Sequence, residues 1–107
     1  MTTDPLSDLL DAAMSATRLR AGTALEPLAA YDRRHNADLL RTLATYLAHG
    51  CNATRSAEAL YLHRSGLLYR LARIEALLGT SLIPFRVRVA LELAVLSLAS
   101  LETHVEE

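Results

Sequence analysis

The sequence predicts an all-α fold, a compact bundle of five to six helices containing a helix-turn-helix, on three observations. Leu and Ala dominate, Gly (4) and Pro (3) are sparse and aromatics make up 5%, a composition suited to helices packed through aliphatic side chains. Apolar residues recur at steps of three and four in several segments. No segment carries a competing strand pattern, because the β-branched cluster around Val87 and Val89 sits inside a helical pattern. At 107 residues the chain is one domain with room for a single core.

Each element follows from its local signals. Ser7 is the expected N-cap of a first helix from about Asp8 to Leu19, with Gly22 as its stop. A short second helix is expected from Pro27, where a missing N–H does no harm, to about Arg34. Asn36 then caps a third, from Ala37 to Ala48, in which Leu39, Leu40, Leu43, Tyr46 and Leu47 form one apolar stripe and His49-Gly50 ends the run. Asn52 or Thr54 caps the next helix, which ends near Leu60. After the break Tyr61-Leu62-His63, a longer helix runs from about Arg64 to Leu78, with His63 as cap and Gly79 as stop. A link over Thr80–Ile83 leads to Pro84 and a last helix reaching about Leu101 or His104.

The segment from Asn52 to Leu78 carries the functional signal. Two helices joined by a turn of three or four residues make a helix-turn-helix, whose second helix can lie in the major groove of DNA. Leu67, Leu71, Ile74 and Leu78 define the buried stripe of that second helix, and Ser65, Gly66, Tyr69, Ala72, Arg73 and Ala76 point farthest from it. Outward residues near the helix N-terminus meet base edges, so Arg64, Ser65, Tyr69 and Arg73 are the expected groove contacts. Thr54 and Arg55, at the start of the first helix, suit a phosphate, as does Arg70. His63 is expected to fix the turn or touch phosphate. Ala57 belongs where the helices cross, with Leu60 and Leu62 beneath the turn.

The residues Asn52-x-Thr54-x-x-Ala57-x-x-Leu60-x-x-His63-Arg64-x-x-Leu67-x-Tyr69-Arg70-Leu71-x-Arg73-Ile74-Glu75 closely resemble the C-terminal helix-turn-helix of PucR-type bacterial transcriptional regulators. That family includes regulators of purine catabolism and sugar-diacid use. The upstream Leu28-Ala29-Ala30-Tyr31-Asp32 and Asp38-Leu39-Leu40-x-Thr42-Leu43-x-x-Tyr46-Leu47-x-His49-Gly50 resemble its run-in, and Gly79 and the Val89–Leu96 helix complete the likeness. The similarity runs from about Leu25 to Leu98, so residues 1–24 read as an N-terminal helix or arm and 25–104 as the helix-turn-helix domain. Asn52-x-Thr54-Arg55 and Arg64-x-x-Leu67 carry a weaker likeness to the Fis-type fold. The resemblance implies sequence-specific binding of double-stranded DNA without catalysis, in the cytoplasm, as the output domain of a regulator with a separate sensory domain. It also implies differences here: the family usually has Asn-Thr at Ser65-Gly66, Arg at Leu68 and commonly a basic residue at Ala72.

Charge and composition bound the alternatives. Net charge is −1, so attraction to DNA must come from a local patch. All eleven basic residues are arginine, which reads as coding bias in a GC-rich genome rather than as a phosphate preference. The single Cys51 excludes an intrachain disulfide and a cysteine-based metal site. His35, His49 and His63 are scattered, without an i, i+4 pair, so neither metal nor cofactor is expected. The N-terminus lacks the basic and apolar regions of a secretory signal, and Val87–Leu101 is too short and interrupted for a membrane span.

In the last helix Val87, Leu91, Ala94, Leu98 and Leu101 form the stripe expected to face the core, and Val89, Leu93 and Leu96 form a second on another side. That second stripe, or the apolar Leu6, Leu9, Leu10 region, is the expected homodimer contact; the alternative is that the N-terminal helix folds back over it. The rival to DNA binding is a helical protein-interaction or dimerisation module that keeps the fold without strong DNA affinity, suggested by Gly66, Leu68, Ala72 and the net charge.

Overall fold

The computed structural model describes residues 4–106 as five helices, α1 (Pro5–His35), α2 (Leu39–Ala48), α3 (Ala53–Ala59), α4 (Arg64–Leu78) and α5 (Phe85–Glu106), with no strand among the described residues. The all-α class and the helix count agree with composition and periodicity. None of these helices, over the described residues, is long and apolar enough to cross a membrane.

The largest difference from the sequence reading lies in α1, where one 31-residue helix replaces the two expected. Asp4, not Ser7, is its N-cap: the Asp4 carboxylate accepts from the Ser7 amide at 3.4 Å and the Ser7 hydroxyl at 3.2 Å, with Pro5 opening the helix. Gly22 does not stop the helix, since a mid-helix glycine costs only about 1 kcal/mol relative to alanine. Flanking Ala21, Leu25 and Leu28 are all buried, and that packing outweighs the local signal. Pro27 removes the N–H that would meet the Thr23 carbonyl, but both residues lie on the exposed side of the helix.

The second difference is the start of α2. Asn36 adopts a left-handed conformation and closes α1, its N–H donating to the Asp32 carbonyl at 2.7 Å; it caps nothing downstream. Asp38 occupies the N-cap position of α2 but makes no side-chain capping bond. The carboxylate of Asp32, in the last turn of α1, instead accepts the amides of Leu39 at 2.7 Å and Leu40 at 3.0 Å. An α1 side chain thus satisfies the free N–H groups of α2 and fixes the corner between them.

The core is assembled from Leu25 and Leu28 of α1, Leu39 and Leu43 of α2, Ala57 of α3, Leu67 and Ile74 of α4, and Leu91 and Ala94 of α5. Its buried hydroxyls are all paired: Thr42 donates to the Asp38 carbonyl, Ser56 to the Asn52 carbonyl and Ser97 to the Leu93 carbonyl. The core-facing stripe of α5 is as expected for Val87, Leu91, Ala94 and Leu98, while the Leu101 side chain lies outside the described residues. After α4, the Glu75 carboxylate accepts the Leu82 amide at 2.8 Å and Arg88 Nε donates to the Leu82 carbonyl at 3.0 Å. These bonds seat buried Leu82 and turn the chain into α5.

Candidate nucleic-acid interface

The helix pair α3–α4 forms with the limits its sequence predicts. Asn52, rather than Thr54, caps α3, its side-chain oxygen accepting the Arg55 amide at 2.9 Å. The connection is tight. The Leu62 amide donates to the Ala57 carbonyl at 2.9 Å, and Tyr61 takes a left-handed conformation (φ 57°) with its ring in solvent. His63 stands at the N-cap of α4 without a side-chain capping bond, and Gly79 (φ 72°) closes the helix by donating to the Glu75 carbonyl at 2.9 Å. Ala57 is buried where the helices meet, Leu60 is buried below the turn, and Leu62 is packed against the core.

The inward stripe of α4 is seated as its spacing requires, with Leu67 and Ile74 fully buried, Leu71 buried and Leu78 half-buried. The outward residues divide into two groups. Arg64, Ser65 and Tyr69 are exposed, and so are Thr54 and Arg55 on α3 and His63 in the turn. Arg70 and Arg73 are half-buried at a groove of about 370 Å³, to which Tyr31, Leu62, Gly66 and Tyr69 also contribute. Arg70 turns inward and donates to the buried Thr42 hydroxyl at 3.1 Å, tying α4 to α2. It spends one of its five N–H donors on the scaffold, which sequence spacing could not show because Thr42 lies on another helix.

Arg73 is held by two rings. Its guanidinium carbon lies 5.7 Å from the centroid of Tyr31 and 5.7 Å from that of Tyr69, and it donates to the Tyr69 hydroxyl at 3.1 Å. That hydrogen bond, with the two phenol rings adding, pushes its pKa above the usual arginine value, so the group is cationic at any pH the fold meets. Tyr46 is also shifted upward, chiefly by burial and secondarily by nearby Cys51, and stays a neutral phenol. Sequence reasoning misses Tyr31 as a site residue because it lies 42 positions before Arg73 on a different helix, with no local pattern to link them.

The described residues contain no group of three or more His, Cys, Asp or Glu side chains able to hold a metal. His49 Nδ1 donates to the Thr45 carbonyl at 2.8 Å and the His35 ring packs on Tyr31 at 4.4 Å, so each is used locally. Cys51 is a free, half-buried thiol at a left-handed turn position.

Gly66 stands on the outward side of α4, and a Cβ added there meets nothing within 4 Å. Gly66→Ala is therefore expected to stabilise the domain by about 0.5–1 kcal/mol, because it removes backbone entropy from the unfolded chain without a clash. A thermal melt followed by circular dichroism checks this; a lower midpoint would mean that the space is filled.

Residues 39–97, more than half of the chain, match the PucR C-terminal helix-turn-helix domain. The chain is 38% identical over 65 residues to the purine catabolism regulatory protein of Bacillus subtilis (strain 168), covering 57% of this chain and 12% of that protein. It is 36% identical over 66 residues to the proline-responsive transcriptional activator PutR of the same organism, covering 62% of this chain and 16% of the relative. An uncharacterized protein of Thermomonospora curvata, from the pkwA 5′ region, is 40% identical over 79 residues, covering 74% of this chain and 42% of that one. The matches thus span less than half the length of each of these relatives. No solved structure matches the chain. With the α3–turn–α4 pair falling wholly inside the matched region, the chain belongs to the family of PucR C-terminal helix-turn-helix domains.

Proposed function

We propose that this chain binds double-stranded DNA sequence-specifically as the output domain of a bacterial transcriptional regulator, acting in the cytoplasm and without a catalytic step. The observation that carries the reading is the α3–α4 pair, whose inward stripe is consumed by the core while Arg64, Ser65, Tyr69 and Arg73 stay on the outward side. Thr54 and Arg55, exposed in the first turn of α3, and His63, exposed at the N-cap of α4, are assigned to the phosphate backbone, together with Arg70. The greater length of the curated relatives supports a sensory domain elsewhere in the regulator, with residues 25–104 as its reading domain and 1–24 as an arm.

The test is fluorescence anisotropy of a labelled duplex from the regulator's own promoter region, titrated over a salt series. Binding that weakens steeply with salt supports the regulator, since each phosphate contact released adds about 0.9 to the log–log slope. The second reading, a helical interaction module without strong DNA affinity, is favoured by the exposed Leu68 and Ala72 where charge would help, and by a net charge of −1. Absence of binding at low salt would select it.

A homodimer is part of the proposal, because two α4 helices about one DNA turn apart would read a pseudo-palindromic site. Leu6, Leu9, Leu10, Val89, Leu93 and Leu96 line a single apolar groove of about 480 Å³ between α1 and α5. The helix does fold back beside the second stripe, yet Leu6 and Leu9 remain 74% and 67% exposed and Leu96 42%. A patch of this kind on a small domain is suited to a second copy. Analytical ultracentrifugation is expected to give a dimer at tens of micromolar and a monomer for Leu96→Glu. A monomeric parent protein at high micromolar concentration would sink the assignment.

A further inference from the structure

Tyr31 lies in the penultimate turn of α1, outside residues 39–97, yet its ring faces the Arg73 guanidinium of α4 at 5.7 Å. Tyr69, one turn before Arg73 on α4, holds the same group by a ring contact at 5.7 Å and a 3.1 Å hydrogen bond. The His35 ring, packed on Tyr31 at 4.4 Å, confines Tyr31 in turn. Asp32, the next residue along α1, accepts the first two amides of α2. Two consecutive residues of α1 therefore organise both the start of α2 and the cation on the outward side of α4.

We propose that Tyr31 is a positioning residue for DNA recognition: with Tyr69 it clamps Arg73, and so makes the affinity of α4 for DNA depend on how α1 is seated. The inference rests on the reading of α4 as the helix that enters the groove. A free arginine must lose side-chain freedom when it meets DNA; one already held by two rings has lost part of it before the encounter. The clamp leaves the guanidinium able to recognise, since the Tyr69 hydroxyl takes one of its five N–H donors and leaves the others for DNA. A shift of α1 against α4 would carry Tyr31 away and leave the arginine held by Tyr69 alone, weakening binding with no change in the backbone of α4. In this way the helix on the N-terminal side of the matched region can pass a signal to the reading face.

A double-mutant cycle on the full chain tests this. Tyr31→Leu keeps apolar volume and removes the π face, and is expected to weaken duplex binding about 3- to 10-fold, the range for immobilising one long side chain. Tyr31→Phe keeps the face and is expected to bind within about twofold of the parent. In an Arg73→Ala background, Tyr31→Leu should have no further effect; an equal loss there would mean that Tyr31 acts through the fold, and would overturn the proposal. Proton NMR of the free protein supplies a readout that needs no DNA. The Arg73 side-chain methylenes should show ring-current shifts in the parent that persist in Tyr31→Phe and shrink in Tyr31→Leu; shifts that Tyr31→Leu leaves unchanged come from Tyr69 alone and also overturn the proposal. A parent that binds DNA while Tyr31→Leu binds equally well removes this inference alone. A parent that binds no duplex at any salt removes the DNA reading and this inference with it.

Discussion

Ile74→Ala is expected to lower the unfolding free energy by about 2–4 kcal/mol, since truncating a buried isoleucine loses transfer energy and leaves a cavity. Ile74 is fully buried in the middle of α4, on the stripe that Leu67 and Leu71 continue, and α4 packs on α1, α2 and α3. A domain of this size has roughly 5–10 kcal/mol in total, so the loss is a large fraction and should bring the melting midpoint down by about 10–20 °C. Ala72→Ser, on the opposite side of the same helix and exposed, is expected to change stability by less than about 0.5–1 kcal/mol, mostly through helix propensity. Urea denaturation followed at 222 nm compares the two. Equal midpoints would mean that α4 does not face the core with this stripe, and the assignment of its outward residues would fall with it.

The elements legible in the sequence are those whose determinants are local. The limits of α4 follow from His63 before it and Gly79 after it, and its buried side from a run of steps of three and four. Sequence narrows the α3 cap to two residues, and the structure selects Asn52 because an extended backbone at that position aims its side chain at the Arg55 amide. The elements that sequence misreads are those in which a distant contact overrides a local signal. Gly22 and Pro27 punctuate the sequence of α1, but Leu25 between them is buried, and the helix continues because interrupting it would expose that side chain. Asn36 has the residue type of a cap for α2 and instead ends α1, the capping of α2 having passed to Asp32 on α1.

The candidate site divides along the same line. That Ser65, Tyr69 and Arg73 point away from the core follows from helix periodicity alone. What Arg70 and Arg73 do there depends on Thr42 and Tyr31, each on another helix, so no pattern within α4 could separate a free arginine from a tethered one. If this face meets DNA as proposed, one poor in donors, with Gly66, Leu68 and Ala72 on it, gains from an arginine that is already oriented when DNA arrives.

That dependence on few cations makes the second large effect the loss of two of them. Arg64→Ala combined with Arg73→Ala is expected to weaken duplex binding at least about 25-fold at low salt, since each charge-assisted groove or phosphate contact is worth about five- to a hundred-fold. The slope of log affinity against log salt should flatten by up to about 1.8 if both side chains meet phosphates, and by less if either reads a base edge. The salt series therefore reports which kind of contact each makes. The control is Arg18→Ala with Arg20→Ala, two exposed arginines on α1 that change the net charge equally without touching α4. If the control loses as much, affinity follows the charge of the whole domain rather than a reading face. If the Arg64 and Arg73 double variant binds as the parent does, the outward side of α4 is not what meets DNA. The proposed pattern requires the two double variants to separate by more than about tenfold in affinity while their melting midpoints stay within a few degrees of each other.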